Sequence, residues 1–82
     1  MWKEEDNALH RTYTFKTFVA AIAFMVNAAM YIDQMDHHPE WTNVYDKVIV
    51  KLQTHSAGKK VTEKDRELAK VLDRVYEEVM AK

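Results

Sequence analysis

Apolar and polar residues alternate at two different periods along this 82-residue chain, and each change of period marks an element. Leu9, Arg11, Tyr13 and Phe15 stand two apart, with His10, Thr12 and Thr14 between them. Period two in aromatic and β-branched residues predicts a strand. Residues 2–15 therefore read as a hairpin: a short strand over Trp2–Glu4, a turn at Glu5-Asp6-Asn7, and a second strand over 8–15. Asp and Asn suit that turn because they tolerate its dihedrals. A frayed end is the competing reading of residues 1–6.

From 17 to 35 the period becomes helical. Phe18, Ile22, Met25, Ala29 and Ile32 fall at steps of four and three, and Val19, Ala23, Val26 and Met30 form a second stripe beside them. A helix apolar nearly all round is buried on more than one side. Either a second subunit covers the extra face, or the helix lies between the sheet and the last helix. Pro39 disfavours helical dihedrals at His38, so the helix ends near Met35 and bends into an extended segment.

Strands follow at 40–45 and 48–55, in the second of which Val48, Val50, Leu52 and Thr54 alternate with Ile49, Lys51, Gln53 and His55. Residues 56–61 form a loop with the chain's single glycine, Gly58. Thr62-Glu63-Lys64-Asp65 has the form of a capping box, with Thr62 as N-cap and Asp65 reaching back. Leu68, Leu72, Val75 and Val79 then make the core stripe of a helix running to about Ala81. Arg66, Lys70, Asp73, Arg74, Glu77 and Glu78 make its solvated face, with Arg74 and Glu78 placed to pair. The order β-β-α-β-β-α predicts an α+β fold, a four-stranded antiparallel sheet with both helices on one face, as a single domain over 1–82.

Composition narrows the function. A chain this short buries only about two-thirds of its unfolded surface, and self-association is a common remedy. The net charge is −1, and Lys59-Lys60 is only a pair, which argues against direct nucleic-acid binding. The absence of cysteine excludes disulfides, thiolate metal sites and cysteine nucleophiles, and suits a cytoplasmic address. The acidic start Met1-Trp2-Lys3-Glu4-Glu5-Asp6 is unlike a signal peptide. The apolar run from Phe18 to Ile32 is broken by Asn27 and falls short of the roughly 20 residues of a membrane span.

The candidate chemistry lies in Asp36-His37-His38-Pro39-Glu40-Trp41 and in Thr54-His55. Histidine gives or takes a proton near neutral pH, which suits general acid–base catalysis. Two imidazoles on opposite sides of a substrate can protonate a leaving hydroxyl and deprotonate the neighbouring atom. That elimination needs no cofactor. A three-histidine zinc site is the rival, weakened because adjacent residues in extended chain point apart. His10, alone on its strand, reads as a surface or hydrogen-bonded residue. Ser56 has no nucleophile elbow around it, and no glycine-rich phosphate loop is present.

Asp36-His37-His38-Pro39-Glu40-Trp41, Asn43-Val44-Tyr45, Lys47-Val48, Leu52, Thr54-His55 and Val61-Thr62-Glu63-Lys64-Asp65 together resemble the pterin-4a-carbinolamine dehydratase family. Leu9, Arg11, Tyr13, Phe15 and Phe18 resemble that family's second strand and helix start. The likeness covers nearly the whole chain, without the segment that usually precedes Trp2. It implies dehydration of 4a-hydroxytetrahydropterin to quinonoid dihydropterin, which recycles the tetrahydrobiopterin of aromatic amino-acid hydroxylases. It implies dimers and tetramers through residues 17–35 and a sheet edge.

The likeness makes His37, His38 and His55 the active-site histidines, with His37 and His55 moving protons and His38 holding the pterin. It places Trp41 beside the ring and makes Asp36, Thr54 and Asp65 polar contacts or supports. Asp33 stands where many members have glutamate, a shorter reach. The loop Ser56-Ala57-Gly58-Lys59-Lys60 is about one residue longer than usual and carries lysines. Some animal members also act as dimerisation partners of a transcription factor, which leaves an interaction module as the second reading of the apolar helix.

Overall fold

The computed structural model describes residues 1–81, so Lys82, the end of the predicted domain, lies outside the described residues. The elements are β1 (Lys3–Glu5), β2 (Ala8–Thr14), α1 (Phe18–Met35), β3 (Glu40–Val44), β4 (Lys47–Leu52), one 3-10 turn (His55–Ala57) and α2 (Glu63–Met80). The strands make one antiparallel sheet in the order β1-β2-β4-β3. Both helices cover the same face, as the element order predicts.

Two-residue turns set the register. Asp6 and Asn7 both take left-handed dihedrals (φ 51° and 61°) between the paired Glu5 and Ala8. That geometry matches the twist of a tight hairpin, and Asp and Asn enter it at lower cost than other side chains. The β3–β4 turn places Tyr45 at φ 52°. Asn43 braces it, its side-chain amide donating to the carbonyls of Tyr45 (3.1 Å) and Lys47 (2.9 Å).

The inner face of the sheet supplies Leu9, Tyr13, Val48, Val50 and Leu52 to the core. From α2 come Leu68, Ala69, Leu72 and Val75, and from α1 come Ala21, Phe24, Ala28 and Ile32. Each fully buried Leu or Val removes apolar area worth about 1.5–3 kcal/mol. Phe15, Tyr13, Phe24 and Tyr76 form an aromatic cluster with centroids 4.8–6.4 Å apart.

Of the first stripe predicted for α1, only Ile32 is in the core. Val19, Val26 and Met30 of the second stripe are 74%, 55% and 65% exposed. Packing against the sheet and α2 therefore covers one side of α1 and leaves an apolar stripe bare. By length and composition alone α1 could also cross a membrane, with mean hydropathy 1.4 over its 18 residues, but its buried side is the fold's own core.

Three local predictions need correction. β1 begins at Lys3, because the Trp2 side chain turns inward to α2. β4 ends at Leu52, and His55 opens the 3-10 turn rather than finishing the strand. Asp73 does not belong to a solvated face. Its Oδ1 accepts from Trp2 Nε1 (3.0 Å), an Arg11 guanidinium N–H (2.5 Å) and the Tyr13 hydroxyl (2.6 Å). Arg11 lies on the inner face of β2, over the Tyr13 ring at 4.2 Å, and needs that carboxylate. Burial, reinforced by the adjacent Asp73, pushes the Tyr13 phenol far above its ordinary range, so it remains a donor. Arg74, predicted to pair with Glu78, lies over the Tyr31 ring instead, at 5.3 Å.

Removing the Asp73 carboxylate should strand a nearly buried guanidinium. Asp73→Ala is expected to cost about 1–3 kcal/mol in urea denaturation. Glu77→Ala, exposed on the same helix, should stay within about 0.5 kcal/mol. Equal effects of the two would remove the cluster from the account of how α2 is anchored.

Candidate active site

The histidine segment lies between a helix stop and a strand start. Asp36 caps α1 in the left-handed conformation (φ 50°, ψ 43°). Its N–H donates to the Asp33 carbonyl (3.1 Å), and that of His37 to the Ile32 carbonyl (3.4 Å). Glycine usually fills such a position; aspartate is among the few other residues that do. The stop thus comes three residues before Pro39. Pro39 then keeps His38 extended on the way into β3.

The two adjacent imidazoles part company. His37 turns inward, with 12% of its side chain exposed, and its Nε2 lies 2.6 Å from Asp65 Oδ1. His38 turns outward, 61% exposed, with Nε2 3.8 Å from the exposed carboxylate of Asp33. His55, exposed on the 3-10 turn, lies across from them.

Asp65 is fully buried, and both its oxygens are spoken for. Oδ2 accepts from the Thr54 hydroxyl (2.7 Å) and from the Thr62 N–H (2.8 Å), which closes the capping box of α2. The Thr54 and Thr62 hydroxyls are themselves 2.6 Å apart. Burial works against the charge on Asp65. The bonds from His37, the Thr62 backbone and Thr54 outweigh it and hold the carboxyl below its usual range. An ionised carboxylate only accepts, so His37 carries a proton on Nε2. In the neutral ring Nδ1 is then the nitrogen free to take a proton.

Two hollows meet at these residues. One, of about 240 Å³, has His37, His38, Thr54, His55 and Asp36 in its walls, with Ser56 and Lys64 at its margin. The other, of about 250 Å³, lies beyond His38 and His55 against Glu40 and Lys51. Gln53 lines both, a residue that its alternation on the predicted strand gave no reason to single out.

The other predicted residues fall elsewhere. Trp41 and Asp33 share with His38 a separate hollow of about 430 Å³, walled by Ala29, Met30 and Pro39. Trp41 is half-buried on the inner face opposite Val50 and does not line the hollows that hold His37 and His55. Thr54 and Asp65, predicted as polar contacts or supports, sit behind His37 with their oxygens committed to the fold. His10 is on the outer face, 3.2 Å from the Glu5 carbonyl. Among the described residues, no group of three or more His, Asp or Glu side chains is set to hold a metal ion.

Comparison with known proteins bears on this arrangement. The family model described as pterin 4 alpha carbinolamine dehydratase matches residues 1–75. A protein of Opitutus terrae, provisionally named pterin-4-alpha-carbinolamine dehydratase, is 51% identical over 74 residues, covering 90% of this chain and 76% of its own length. One of Chelativorans sp., with the same provisional name, is 49% identical over 70 residues, covering 85% and 70%.

Among solved structures, a transcriptional coactivator/pterin dehydratase from Brucella melitensis superposes with a TM-score of 0.87 at 42% identity, covering 92% of this chain and 81% of that one. A pterin dehydratase-like protein described as a RuBisCO assembly factor in the alpha-carboxysome has a TM-score of 0.76 at 17% identity, covering 93% and 87%, a likeness of fold alone. With the family model spanning most of the sequence and close relatives agreeing, this chain belongs to the pterin 4 alpha carbinolamine dehydratase family.

Proposed function

We propose that the chain dehydrates 4a-hydroxytetrahydropterin to quinonoid dihydropterin and water. The observation that carries this reading is the convergence of three histidines on adjoining hollows, one of them locked to a buried carboxylate. Family membership supplies the substrate class. In the reaction the C4a–O bond breaks as the hydroxyl gains a proton, N5 loses its proton, and the N5=C4a double bond forms. His37 is the better base, since its Nδ1 is free and Asp65 pairs with the imidazolium that results. His55, open to solvent, gives the proton to the departing hydroxyl. His38, on the wall between the hollows, holds the ring.

Asp65 and Thr54 act on substrate only through His37 in this scheme. Asp36 lies at the rim, and Asp33 and Trp41 face the neighbouring hollow, where they would meet the substrate's periphery. Recycling of a hydroxylase cofactor in the cytoplasm is the process in which such a reaction is used. A single-chain domain over 1–82 with self-association through α1 completes the reading, supported by the bare stripe Val19, Val26 and Met30. The same stripe supports the second reading, a partner-binding module.

In an ultraviolet assay with freshly generated 4a-hydroxytetrahydropterin, the protein should accelerate dehydration over buffer. His37→Ala and His55→Ala should each lower the rate about 10²–10⁴-fold. A loss under about threefold would take that residue out of the mechanism.

Asp65→Asn separates the support role from substrate contact through stability. The folded carboxyl titrates below its unfolded value of about 3.9, so its contribution is present above that pH and fades as pH falls through the folded value. The variant should be about 1–3 kcal/mol less stable than the parent at pH 7, and the gap should close toward pH 3. A gap that did not vary with pH would contradict an ionised Asp65.

Light scattering should report an oligomer, and Met30→Asp should shift it toward monomer without unfolding it. A monomeric parent protein would sink both self-association and the tetramer expected of the enzyme.

A further inference from the structure

Gln53 takes no part in the mechanism above, yet it is the one side chain besides His38 and His55 that lines both histidine hollows. It follows the last residue of β4 and is half-buried. Its Nε2 donates to the Asn7 carbonyl at 3.2 Å, across 46 residues of chain. Asn7 is held in the left-handed β1–β2 turn, so that carbonyl is fixed by the hairpin.

The bond decides which end of the amide is which. Only the NH₂ group can donate to a carbonyl, so Oε1 is the other arm. Among the described residues Oε1 has no hydrogen-bond partner, so it remains a neutral acceptor on a tethered side chain. Asp36 and Glu40 also offer oxygens, but each reaches one hollow only and is exposed. Lys51 and Lys64 can only donate.

A pterin ring carries an exocyclic 2-amino group whose N–H bonds need acceptors. A lumazine ring is the same bicycle with an oxygen at that position. A neutral acceptor would welcome the first and repel the second, because two facing acceptors leave both unpaired. We propose that Gln53 is a specificity-determining residue whose Oε1 accepts from the 2-amino group, so that the site selects pterins over 2-oxo analogues. This rests on the pterin reading of the site.

Equilibrium binding of 6-hydroxymethylpterin and 6-hydroxymethyllumazine tests it. The parent protein should favour the pterin by roughly tenfold or more. Gln53→Leu should bring the two within about threefold, raising KM for the hydroxylated substrate while leaving kcat nearly unchanged. Gln53→Glu keeps the acceptor but loses the bond to Asn7, so it should retain the preference. Glu behaving like Leu would show that the tether matters and the acceptor does not, which overturns the inference. So would a parent protein that binds both rings equally well. Binding of neither ring overturns the pterin reading and this inference with it.

Discussion

The buried carboxylate of Asp65 is the constraint on which the rest of the site depends. An ionised group with no solvent contact must be hydrogen-bonded on every side or it destabilises the fold. Its partners come from three chain reversals: His37 between α1 and β3, Thr54 beyond β4, and the Thr62 N–H at the start of α2. None of these segments can shift without breaking a bond to the same two oxygens. The positive end of the α2 dipole favours the charge as well. Starting the last helix and fixing the orientation of an imidazole are therefore one event, and the two roles weighed for Asp65 are not alternatives.

The helix that precedes the site shows how packing chooses among apolar faces. Ala21 and Ala28 are small enough to bring α1 close to the layer beneath, and Phe24 between them fills the space against Tyr13, Phe15 and Tyr76. Larger residues at the two alanine positions would hold the helix off. The bulkier Val19, Val26 and Met30 are left outside. A chain with so small a core gains little from exposed apolar area, and covering that stripe is the cheapest remaining source of stability.

Much of this was legible in the sequence, and the failures have physical causes. The alternation in β2 and β4 and the capping box gave the sheet and α2, because in each one pattern dominates. Helical period in α1 was equally plain, but a helix apolar all round has no polar stripe to say which face is inside, and the chosen stripe was largely wrong. Asp73 looked solvated because its partner Arg11 is 62 residues away. Read as a strand residue, His55 was credited with one alternation too many, since Gly58 (φ 82°) and Lys59 (φ 59°) let the chain curl at once. Gln53 carried no signal, because its tether to Asn7 exists only once the hairpin and β4 lie side by side.

The divergence of His37 and His38 has a consequence for the proposed chemistry. Neighbouring side chains in extended chain face opposite ways, so one imidazole could reach the core only by sending the other to solvent. His37 thereby acquires a fixed tautomer and a carboxylate to balance a gained proton, whereas His38 and His55 meet only water and exposed groups. Three chemically identical side chains are thus placed in unlike surroundings by one left-handed residue, one proline and one buried aspartate. An elimination needs one group ready to accept a proton while another is ready to give one. Unlike surroundings meet that need where three equivalent histidines would not.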